Sequence, residues 1–74
     1  MKNYSRSLKA QVAAEIRSLE NDGYSVEVVT KSRNVMEWKL SHRNGNELNV
    51  VWQDAPIERV EILKNGRVVN FWYA

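Results

Sequence analysis

The sequence contains no cysteine, one histidine and one proline. Disulfides and thiolate metal sites are therefore excluded, and a single histidine does not make a histidine-rich metal site. No apolar run approaches the roughly 20 residues that cross a bilayer. The basic N-terminus is not followed by the apolar segment of a secretory signal. We expect a cytoplasmic protein that has no membrane segment and binds no metal or other cofactor.

The small size of the chain limits its core. At 74 residues it is long enough for one domain, and we expect residues 1–74 to form one. Such a domain buries only about 60% of the surface that its unfolded chain exposes. With disulfides and thiolate metal sites excluded, good packing or self-association has to supply the stability.

The first predicted element is a helix from Ser5 to Asp22. Ser5 or Ser7 is suited to cap its first turn, and Gly23 suits a left-handed residue at its end. The apolar residues recur at the spacing of one helix face, as Leu8, Val12, Ile16 and Leu19.

From residue 24 onward the apolar period changes to two, which is typical of half-buried strands. Turn residues divide this region into five segments. The sequence therefore predicts an α+β fold, in which one N-terminal helix packs on one face of a mostly antiparallel sheet of four or five strands. Neighbouring segments usually pair, which favours an α-β-β-β-β-β meander. The predicted segments are 24–31, 36–43, 47–53, 57–63 and 67–73.

Two glycine turns set the expected registers. A three-residue loop ending at Gly45 pairs Leu40 with Leu48 and places the large apolar groups of both strands on one face. A two-residue turn at Asn65-Gly66 pairs Val60 with Phe71 and turns Trp72 away from the helix. The expected core is Leu8, Val12, Ile16, Leu19, Tyr24, Val26, Val28, Met36, Trp38, Leu40, Leu48, Val50, Trp52, Val60, Ile62, Val69 and Phe71.

Catalytic patterns are weak. His42 is the only histidine, and as a general base it would suit a small ribonuclease with Arg43 or Lys64 holding the phosphate. A strand-end imidazole without catalytic work is the simpler interpretation. The sequence has no glycine-rich phosphate loop. We therefore expect no enzyme and assign no catalytic residue.

Two surfaces are the main candidates for binding, ahead of the outward helix face around Ala10, Ala13 and Ala14, which would allow a second helix to approach closely. The last segment ends in Phe-Trp-Tyr-Ala and has only one charged residue, although exposed edge strands usually carry charge or proline. It predicts a protein interface formed by Trp72, Val68, Leu63, Ile57 and Tyr73. The second surface is a basic end near the helix N-terminus, where a nucleic-acid phosphate could bind. Its residues are Lys2, Arg6, Lys31 and Arg33.

These observations favour a non-enzymatic protein-interaction module of a regulator or inhibitor type. Its partner is expected to be another protein, with a second copy of the same chain favoured. A nucleic-acid-binding domain that uses the basic end is the alternative, and a ribonuclease that uses His42 is a minor one. No small-molecule substrate is indicated.

Overall fold

The computed structural model describes residues 7–73, except the side chains of Thr30 and Lys31. One helix is followed by five strands, as the sequence predicted. Within the described residues, no helix is long and apolar enough to cross a membrane. The elements are α1 (Leu8–Asn21), β1 (Tyr24–Lys31), β2 (Val35–His42), β3 (Glu47–Gln53), β4 (Arg59–Lys64) and β5 (Arg67–Tyr73).

Helix α1 begins and ends at the residues that its sequence chemistry favours. Ser7 is the N-cap, and its hydroxyl oxygen accepts a hydrogen bond from the Ala10 N–H at 3.2 Å. The cap satisfies one of the free N–H groups of the first turn. At the other end Gly23 has a φ of 105°, a conformation that glycine adopts without steric cost. The helix therefore covers Leu8–Asn21 and is shorter at both ends than the predicted range from Ser5 to Asp22.

The strands form one antiparallel sheet in the order β1-β2-β3-β4-β5, so the predicted meander is confirmed. The β2–β3 register is also as predicted, with Leu40 opposite Leu48 and Trp38 opposite Val50. Gly45 has a φ of 97° in the three-residue loop that sets this register. Partners across a sheet share a face, so Met36, Trp38 and Leu40 of β2 lie with Leu48, Val50 and Trp52 of β3 on the side of the helix.

The core lies between α1 and the inner face of the sheet. It is completed by half-buried residues, which include Trp38, Trp52 and Trp72. The helix contacts β1, β3 and β4 and so crosses the sheet obliquely. No described residue covers the outer face. The fully buried apolar residues are Leu8, Val12, Leu40, Val50, Val60 and Ile62.

Both edge strands contain a β-bulge. In β1, Val28 pairs with Trp38 and Thr30 with Glu37, so Val29 is the extra residue. Val28 lies on the inner face but at the sheet edge, and it is 45% exposed. Its predicted place in the core is therefore wrong.

The bulge in β5 overturns the predicted register of the last hairpin. The turn at Asn65-Gly66 forms as expected and pairs Leu63 with Val68. Val69 is then an extra residue, and every later residue of β5 moves to the opposite face.

As a result, Trp72 lies opposite Val60 and packs against the core instead of facing away from the helix. Phe71 and Val69, which were expected in the core, are exposed.

Candidate functional site

The most exposed apolar surface of the described structure lies on β5. Six of the seven residues of this edge strand are exposed. We call Val68, Val69, Phe71 and Tyr73 the β5 surface; their exposed fractions are 49%, 58%, 46% and 55%. Contiguous exposed apolar residues of this kind commonly mark a site where another molecule binds.

Arg59 of β4 anchors the aromatic part of this surface. Its guanidinium carbon lies 5.5 Å from the centroid of the Phe71 ring and 5.4 Å from that of Tyr73. The two rings contact edge to face, with centroids 5.8 Å apart. Glu61 holds the guanidinium from the side, at 2.6 Å between Nη2 and Oε2. These cation–π contacts and the ion pair hold the two aromatic rings in place on the outer face.

The part of the outer face nearer β1 is polar by contrast. The row that crosses the sheet from β1 runs Glu27, Lys39 and Asn49 before it reaches Leu63. Asn49 also donates a hydrogen bond to Glu37, with 2.6 Å between Nδ2 and Oε2. Of the seven large apolar residues that are exposed in the described structure, four lie on β5, against Val28 and Val29 on β1.

The structure brings only part of the predicted interface together. Val68 and Tyr73 lie on the outer face, and half-buried Leu63 is paired with Val68. Ile57 is 61% exposed but precedes β4, which starts at Arg59 and not at residue 57. Trp72 lies on the inner face. Phe71 and Arg59 were missed, because only the bulge places them on the outer face together.

The chain was also compared with known proteins. No family model, curated protein or solved structure matches it.

His42 connects the end of α1 to the β2–β3 loop. Its Nδ1 accepts a hydrogen bond from the Asn44 N–H at 3.1 Å, since a backbone N–H can only donate. The proton is then on Nε2, which donates to the Asp22 carbonyl at 3.1 Å. The Tyr24 ring packs edge to face against the imidazole. Both ring nitrogens are occupied by backbone groups, an arrangement typical of a structural histidine.

The predicted basic end lies mostly outside the described part of the chain. Lys2 and Arg6 precede residue 7, and the side chain of Lys31 is not described. Arg33 is exposed and lines a small pocket of about 120 Å³ together with Asp54, whose carboxylate opposes its charge. Among residues 7–73, no group of three or more acidic, histidine or cysteine side chains could hold a metal ion.

Proposed function

We propose that this domain is a non-enzymatic protein-interaction module that forms a homodimer through β5. The observation that carries the proposal is the edge strand itself. Six of its seven residues are exposed, and every apolar side chain of the strand except Trp72 is about half exposed. An edge strand offers unpaired backbone groups for pairing with a second strand.

The two edges of the sheet differ in how they are protected. The β1 sequence carries Glu27 and Lys31, and charged residues on an edge disfavour pairing with another strand. The only charged residue of β5 is Arg67, at its first position. The β5 bulge interrupts the edge at Val69 but leaves the regular stretch from Asn70 to Tyr73 beyond it. Addition of a strand is therefore favoured at β5 over β1.

A second copy is the partner that this geometry suits best. Two antiparallel β5 strands related by a twofold axis would each offer the same groups to the other, as an isologous interface requires. The joined sheets would have ten strands, and their Phe71 and Tyr73 rings would lie near each other on the outer face. Burial of these side chains would also supply apolar area that an 8.6 kDa chain lacks.

Sedimentation equilibrium of the full chain tests the proposal. The wild type is expected at twice 8.6 kDa, and Val69→Lys is expected to shift the mass to that of the monomer, since a lysine on the edge would have to be desolvated. Val29→Lys is the matched control, because Val29 is also an exposed valine at a bulge, on the opposite edge. It is expected to leave the dimer intact.

Two results would contradict the proposal. One is a wild-type chain that stays monomeric at high micromolar concentration. The other is a dimer that Val29→Lys dissociates and Val69→Lys does not, which would move the interface to β1.

A further inference from the structure

A second surface, separate from β5, lies where α1 leaves part of the inner face uncovered. It is a half-open groove with a volume of about 460 Å³, within the usual range of small-molecule sites. Its floor is formed by Met36, Trp38 and Trp52, and Val12 and Ile16 form the wall on the helix side. The surface inside the groove is mainly apolar.

One side chain of the groove floor, Trp52, is held in place by a hydrogen bond. The Nε1 of Trp52 donates to Glu58 at 3.0 Å, which fixes the plane of the indole ring. Trp38 lies on the neighbouring strand, opposite Val50. The aromatic floor of the groove is therefore preformed. Binding of a ligand would cost little conformational entropy for ordering it.

The rim of the groove carries an uneven charge. Lys9, Ala13 and Arg17 follow one another at four-residue spacing along its edge, and Glu20 comes one turn after Arg17. Arg17 and Glu20 are neighbours on the helix surface and partly neutralise each other. Lys9 has no acidic residue in its own turn of the helix. It also lies at the positive end of the helix dipole, so the Lys9 end of the groove attracts an anion.

We propose that this groove binds a small amphipathic carboxylate. The carboxylate lies at the Lys9 end, and the apolar body lies along the groove over Trp38 and Trp52. Lys9 and Arg17 are eight residues apart, which corresponds to about 12 Å along a helix. An extended decanoate chain has about this length. Ala13, midway between them, has only a methyl group and leaves the entrance open.

Tryptophan fluorescence tests this proposal with a terminally brominated decanoate, kept below its micelle concentration. Bromine quenches an indole only on contact, so saturable quenching of the wild type is expected, and terminally brominated decanol should bind more weakly. Lys9→Glu is expected to raise the dissociation constant about fivefold, as for reversal of a charge at an exposed rim. Lys64→Glu changes an exposed lysine that does not line the groove, and it should have no effect.

A second pair of variants tests the location. Ala13→Phe fills the entrance and is expected to abolish quenching. Ala10→Phe alters an exposed alanine of the same helix that does not line the groove, and it should bind as the wild type does.

Three results would overturn the proposal: no saturable quenching, quenching that survives Ala13→Phe, or equal binding by the two lysine variants. None of them depends on the oligomeric state, so they are independent of the dimer proposed above.

Discussion

Replacing Trp72 by alanine is expected to lower the free energy of unfolding by about 3 kcal/mol, and replacing its neighbour Phe71 by only about 1 kcal/mol. The bulge at Val69 places the Trp72 side chain opposite fully buried Val60. Truncation of a buried Trp or Phe costs about 3–5 kcal/mol, and Trp72 is half-buried, so we take the lower end of that range.

The cost at Phe71 follows from its exposure. Phe71 is 46% exposed, so its burial contributes about 1 kcal/mol of the 1.5–3 kcal/mol of a fully buried aromatic side chain. The contact with Arg59 adds a few tenths of a kcal/mol at an exposed position. The difference of about 2 kcal/mol between the two variants is the quantity to measure.

Urea unfolding followed by far-UV circular dichroism measures this difference. Protein concentration should be varied, because a dimer interface at Phe71 would make its cost concentration-dependent. A domain of this size has only about 3–5 kcal/mol of total stability, so Trp72→Ala approaches the limit of folding. Trp72→Phe keeps a ring in the core and provides a milder second variant. If Phe71→Ala cost as much as Trp72→Ala or more at concentrations low enough for the chain to be monomeric, β5 would lack the bulge and the outer face described above would be wrong.

Further predictions concern the two turns and the helix cap. Gly23→Ala should cost more stability than Gly45→Ala in the same unfolding assay. Both glycines have positive φ, but a Cβ at Gly23 would lie 2.8 Å from Nε2 of His42, whereas one at Gly45 meets open space. Equal costs would contradict the described position of the imidazole. Ser7→Ala should cost about 1 kcal/mol, because it removes the hydrogen bond to the Ala10 N–H. An unchanged unfolding midpoint would show that this cap contributes nothing.

The helix and the first hairpin could be predicted because their signals are local. The apolar spacing of α1 fits only one period, and Gly23 marks its end. In the β2–β3 hairpin, only one loop length places all the large apolar groups on one face. Sequence and structure agree there because the alternative register would expose about half of those groups.

The last hairpin was predicted in the wrong register because its sequence is apolar in both phases. From Val68 to Tyr73 only Asn70 is polar, so either register buries an aromatic residue. The extra residue at Val69 has no glycine or proline to mark it. The contact of Arg59 with Phe71 and Tyr73 follows from this bulge. The aromatic part of the candidate site therefore could not be found before the fold was known.

The groove could not be predicted from sequence patterns, for a different reason. Its residues come from α1, β2 and β3; the apolar ones fit an ordinary core pattern on their own elements, and the charged ones look like ordinary surface residues of the helix. Only the oblique path of the helix leaves Met36, Trp38 and Trp52 partly uncovered. The position of a helix on a sheet depends on packing across the whole core, which no local spacing reports.

The most direct test of pairing through β5 is the distance between spin labels in two copies of the chain. Because the sequence has no cysteine, single variants Val69→Cys and Val29→Cys each carry one label. In a ten-stranded sheet the two β5 strands are one strand spacing apart and the two β1 strands are nine, or about 43 Å at 4.8 Å each. We expect a distance below about 25 Å from Val69→Cys and about 40 Å from Val29→Cys. No dipolar coupling at position 69, or a short distance at position 29, would contradict dimerisation through β5.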